Sequence, residues 1–119
     1  MSKRKTYKYN GIMIPVNDND DVIFEVDFIS SGNTGYTNID TPLRAFDAHQ
    51  IHNSGSEYIG KGKELRGEMC FSFSDIVNLA EEVNEIVIDF KINGSTIVRH
   101  RNKKSEEHNP YIDIVFYFK

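Results

Sequence analysis

Residues 85–100 read EIVIDFKINGSTIVRH. Ile86, Ile88, Phe90 and Ile92 recur at every second position, so an extended chain gathers them on one face, whereas a helix would scatter them around its axis. Asn93 and Gly94 follow, and both tolerate the positive φ that the type I′ turn of a two-residue hairpin requires. Residues 85–92 and 95–100 are therefore expected to pair, and a regular register sets Phe90 opposite Ile97 on the core face.

The same period recurs on either side of this hairpin. In DVIFEVDFI, Val22, Phe24, Val26 and Phe28 share one face and Glu25 and Asp27 the other; in EMCFSFS, Met69, Phe71 and Phe73 share one face, with Cys70, Ser72 and Ser74 opposite. Residues 7–14 and YIDIVFYFK at 111–119 carry further strand signals. The pattern predicts an all-β chain, a β-sandwich or open barrel of about seven short, mostly antiparallel strands with one or two short helices. One helix is assigned to TPLRAFDAHQ, residues 41–50, where Thr41 caps and Pro42 takes the first helical position. The other is assigned to residues 75–83, where Ile76, Leu79, Ala80 and Val83 fall at helical spacing, with a polar loop as the alternative.

A chain of 119 residues, 39 % hydrophobic and 12 % aromatic, fills one hydrophobic core. Residues 7–119 are expected to form a single domain behind a flexible basic arm at 1–6. No apolar run suits a bilayer or a secretory signal, and one cysteine, Cys70, makes no internal disulfide, so a cytoplasmic protein is expected. The net charge of −4 conceals a segregation. Lys3, Arg4, Lys5 and Lys8 crowd one short stretch, Arg99, Arg101, Lys103 and Lys104 another, and the body between them is acidic. That arrangement suits neither the coating of DNA nor a polybasic membrane anchor.

Reactive constellations are scarce. GSEYIGKG at 55–62 has the glycine and lysine spacing of a phosphate loop, but Gly62 stands where a magnesium-binding hydroxyl belongs and Glu57 would put a carboxylate in the anion cradle. It is read as a connection, and no nucleotide is expected. Asp18, Asp20 and Asp21 in NDNDD offer oxygen ligands, yet no register supplies the central glycine and final glutamate of an EF-hand, so calcium stays open and no metal is assigned. Asp47, His49 and His52 would need Cys70 or His108 from elsewhere in the fold to hold zinc. Cys70 has no neighbour in sequence to make it a thiolate, and no nucleophile motif is present. The chain is expected to be non-enzymatic and to use no cofactor.

Two surfaces remain. In the stretch 111–119, Ile112, Ile114, Phe116 and Phe118 make one face, while Tyr111, Val115 and Tyr117 make the other apolar as well, interrupted by Asp113. A half-exposed strand is polar outside, so Tyr111, Val115 and Tyr117 are expected to meet a partner protein or a second copy of the chain. The alternative is a small anion- or nucleic-acid-binding protein that uses Lys3, Arg4 and Lys5 of the arm together with Arg99, Arg101, Lys103 and Lys104, read as a loop, with Tyr7 or Tyr9 as stacking surfaces.

Overall fold

The alternation of apolar and polar side chains is realised as two packed sheets. The computed structural model describes residues 3–41 and 49–119. In chain order the elements are β1 (Thr6–Ile14), β2 (Asp21–Phe28), β3 (Asn33–Asp40), β4 (His49–His52), β5 (Gly55–Lys61), α1 (Gly62–Leu65), β6 (Met69–Asn78), β7 (Glu85–Ile92), β8 (Ser95–Lys103) and β9 (Tyr111–Phe118). One sheet has the order β1-β9-β6-β3-β4 and the other β5-β2-β7-β8. Every pairing is antiparallel except that of β1 with β9. The protein is a β-sandwich.

The faces predicted for three strands are the ones that meet inside. Val22, Phe24 and Val26 of β2, Ile86, Ile88, Phe90 and Ile92 of β7, and Ile112, Ile114, Phe116 and Phe118 of β9 are all buried. The rings of Phe24 and Phe116 lie 5.6 Å apart, and Phe116 meets Phe118 edge-on at 5.7 Å. Such contacts stabilise beyond the area they bury.

Three local expectations are corrected, and a fourth is tested only at its end. Residues 75–83 are not a helix: Asp75–Asn78 continue β6, and Leu79, at helical spacing from Ile76, is 72 % exposed. The proposed helix at 41–50 falls at 42–48 outside the described residues, and His49 and Gln50 are strand. GSEYIGKG is not a connection but an edge strand paired with β2 and followed by the single turn α1. Residues 99–103 are not a loop but the second half of β8.

The hairpin turn itself is placed as predicted, with Asn93 at φ 48° and Gly94 at φ 83°, but its register is not regular. Ile92 pairs with Ser95 and Lys91 with Thr96; Phe90 then pairs with Val98, which leaves Ile97 as the extra residue of a β-bulge. The bulge has a physical reason. A regular register would set Arg99 and Arg101 opposite Ile88 and Ile86 on the core face, and two desolvated guanidinium groups there would cost far more than one local kink. With the bulge, Val98, His100 and Asn102 turn inward, and Arg99, Arg101 and Lys103 turn out.

β6 also shows an unexpected face. Cys70, Ser72, Ser74, Ile76 and Asn78 point into the sandwich, while Met69, Phe71 and Phe73 lie outside. Sheets pack at a nearly fixed separation, so the large rings of β2 and β9 leave room inside for small side chains on the strand beside them. The Ser74 hydroxyl is paired there with Thr37 at 2.8 Å.

Candidate interaction surface

Tyr111, Val115 and Tyr117 occupy alternate positions of β9, the strand between β1 and β6, and all three face away from the core. Strand register supplies their neighbours. Tyr117 lies between Met13 and Met69, Val115 beside Phe71, Asp113 between Lys8 and Phe73, and Tyr111 between Thr6 and Asp75. The three nominated residues thus belong to a wider face with Phe71 and Phe73 at its middle and two methionines, each more than half exposed, at one end. Phe73 and Tyr111 stack at 5.4 Å.

β6 adds Met69, Phe71 and Phe73 to the three residues expected from β9. Its signal is the shared face of Met69, Phe71 and Phe73, which alternation alone does not assign to the inside or the outside of the sandwich.

The basic arm is fixed to one end of this surface. The Arg4 guanidinium lies 3.7 Å from the Tyr111 ring centroid and ion-pairs with Asp75 at 2.6 Å, while its Nε donates to the Asn109 carbonyl at 2.7 Å. Lys5 N donates to the Glu107 carboxylate, and Tyr111 N donates to the Lys5 carbonyl. The segment expected as an arm at 1–6 is therefore docked from Arg4 onward, and Thr6 already belongs to β1.

The second cluster of the anion-binding alternative lies on β8 of the other sheet and just after it. Arg99 makes two bonds to Asp89, at 2.6 and 2.7 Å, and these hold the Asp89 carboxyl below the ordinary carboxylate range against the opposing effect of burial. Arg101 pairs with Glu85 at 2.9 Å, and the Lys104 ammonium donates to the Ala80 carbonyl. Lys3, Lys5 and Lys103 are exposed.

Most of the remaining polar candidates are engaged within the fold. Asp18 pairs with Arg66, Asp21 pairs with Lys61 at 2.6 Å, and the Asp20 carboxylate accepts from Asn17 N at 2.9 Å, so NDNDD ties its own turn to α1. His49 points inward 3.3 Å from Glu57, His52 points out, and Asp47 lies outside the described residues. No group of three or more metal-ligating side chains is assembled among the described residues. The Cys70 thiol is pushed up to about 12, first by burial and then by Glu68, and is protonated at neutral pH.

His100 closes the seam between β1 and β8. The Asn102 amide donates to two carbonyls, those of Lys103 and Glu107, so its oxygen is left to accept from His100 Nε2 at 2.6 Å. Burial favours the neutral ring, in which Nδ1 accepts from the Tyr9 hydroxyl at 2.8 Å. Burial lowers its pKa, with the Asn102 bond acting in the other direction.

Open cavities flank the sandwich among the described residues, two of them well formed. The larger, about 590 Å³, sets Glu81 and Glu85 against Lys103 and Lys104, whose charges offset one another. The other, about 510 Å³, lies between Ile12–Val16 and the hairpin tip. No helix among the described residues is long and apolar enough to cross a membrane. The chain matches no family model, no curated protein and no solved structure.

Proposed function

We propose that this protein is a non-enzymatic interaction module, cytoplasmic and cofactor-free, that binds another protein or a second copy of itself through the outer face of the five-stranded sheet, centred on Tyr111, Val115 and Tyr117. The observation that carries the reading is that this face joins four aromatic rings to Val115, Met13 and Met69, while the outer face of the opposite sheet is crossed by ion pairs. Contiguous apolar surface of this kind marks association sites. The anion-binding alternative is weakened by the engagement of Arg4, Arg99, Arg101 and Lys104 with partners of their own chain.

The test is the double change Val115→Lys with Tyr117→Lys. Light scattering and native affinity capture are expected to lose the association seen for the wild type, with circular dichroism unchanged. A wild type that is monomeric at high concentration and captures nothing, together with a double variant that unfolds, would make this face ordinary structure.

A further inference from the structure

The proposed docking face contains two neighbouring rows of related chemistry. In the first, Tyr111 of β9 and Asp75 of β6 are directly paired, and the Arg4 guanidinium lies over the ring with the carboxylate as its counter-ion. In the next row the same two strands carry the same two chemical types with the strands exchanged: Asp113 is on β9 and Phe73 on β6, again directly paired. The Phe73 ring stacks on Tyr111, so both rows share one aromatic platform.

In the second row no cation is bonded to the carboxylate among the described residues. Asp113 Oδ1 is enclosed and accepts no hydrogen bond, and among the described residues no cation lies within ion-pair distance of the group. Lys8 is opposite in register but exposed. The carboxyl is raised above its ordinary value by burial, with Lys8 pulling weakly the other way. A half-buried carboxylate without a partner is costly, and a planar guanidinium both stacks on a ring and bonds a carboxylate edge-on, which an ammonium does less well.

We propose that Phe73 and Asp113 form a receptor for an arginine side chain of a partner protein, laid beside Arg4 on the shared rings of Phe73 and Tyr111. The inference rests on the reading of this face as a docking surface and names the chemistry it recognises. A chain with a net charge of −4 favours a basic partner in the same sense.

The experiment is an NMR titration of isotope-labelled full-length protein with N-acetyl-arginine amide, with the lysine and citrulline counterparts as comparisons. Arginine is expected to shift Phe73, Tyr111, Asp113 and Val115 saturably, lysine more weakly, and citrulline not at all. Asp113→Asn is expected to weaken arginine binding by about tenfold, and Phe73→Leu, which keeps an apolar side chain on β6, to weaken it as well if Asp113→Asn fails to fold. Equal shifts with citrulline, or shifts unchanged in both variants, would overturn the proposal. So would arginine binding that appears only in Lys8→Met, because the receptor would then be filled by its own chain. If wild-type protein ignores arginine but still loses association in the Val115→Lys, Tyr117→Lys variant, the arginine receptor fails and the docking face stands.

Discussion

Asp27, Asp89 and Arg99 lie in one line across the outside of the four-stranded sheet, whereas the matching line across the outside of the five-stranded sheet runs Lys8, Asp113, Phe73, Asn38. On the first face three carboxylates have a cation, Asp89 from Arg99, Asp27 from Lys91 at 3.4 Å and Glu85 from Arg101, while Glu25, in register with Lys91, makes no ion pair among the described residues. Two aspartates placed directly opposite would repel, and the neighbouring cations remove that cost. The buried carboxylate of this face, Asp89, is thus satisfied from within the chain. On the second face, among the described residues, Arg4 pairs with Asp75 at one end, and beyond it aromatic and sulfur-bearing side chains surround Asp113, which makes no ion pair. The two faces show that a sheet can be equally well buried on its inner side and yet finished or unfinished on its outer side.

The sharpest way to break the contrast is to place the same charges on both faces. Ile23 and Tyr58 are paired on the four-stranded sheet and each is 40 % exposed. The variant Ile23→Lys with Tyr58→Lys is expected to leave association unchanged, while Val115→Lys with Tyr117→Lys abolishes it; equal losses by light scattering would erase the distinction.

Within the charged face, the pairs are expected to be unequal. Arg99→Ala leaves Asp89, 2 % exposed, as a buried carboxylate without its bidentate partner, whereas Arg101→Ala leaves a half-exposed Glu85 that water can solvate. Urea denaturation is expected to show a clearly larger fall in midpoint for Arg99→Ala. Equal midpoints would mean that Asp89 is solvated in the variant.

The hairpin sets which side of β8 carries charge. Gly94→Val forces a β-branched residue to φ 83°, and a loss of about 1–3 kcal/mol is expected in the same denaturation assay. An unchanged midpoint would show that the turn does not fix the register.

The smallest expected effect concerns the seam where the edges of the two sheets meet. His100 is neutral and its folded pKa lies below the ordinary value of 6.5, so the unfolded chain binds the extra proton first. Its contribution is complete above 6.5 and is lost as the pH falls from there through the folded value. The thermal midpoint of the wild type is expected to decline over that interval more than that of His100→Gln. Parallel profiles would assign the acid sensitivity to other groups.

The sequence made the interior of β2, β7 and β9 legible because each pairs a strong period of two with polar residues opposite. It left β6 ambiguous, since both Cys70-Ser72-Ser74 and Met69-Phe71-Phe73 are regular rows, and the choice between them depends on rings supplied by other strands. The false helix at 75–83 arose from the same strand, where Ile76 and Leu79 happen to sit three apart while the longer series Ser72, Ser74, Ile76, Asn78 continues the strand. The bulge at Ile97 had a readable warning, because a regular register turned two arginines inward. The Arg4 clamp had none: Asp75, Asn109 and Tyr111 are remote in sequence, and nothing in a run of basic residues distinguishes the one that docks.

The place of β9 has a consequence for the order in which the fold can be made. The strand fills the gap between β1 and β6, and Thr6, near the start of β1, finds its partner in Tyr111. On the ribosome, β2, β5, β7 and β8 can join into the four-stranded sheet once residue 103 has emerged, but the other sheet then still lacks a strand near its middle. Until residues 111–118 follow, β1 has no neighbour, the β9-facing edge of β6 is open, and the interior faces of both sheets are only partly covered. Closure of such distant pairs is slow, and open edges invite pairing with other chains. Truncation within β9 is thus expected to yield not a smaller sandwich but an aggregation-prone nascent chain that a chaperone must hold.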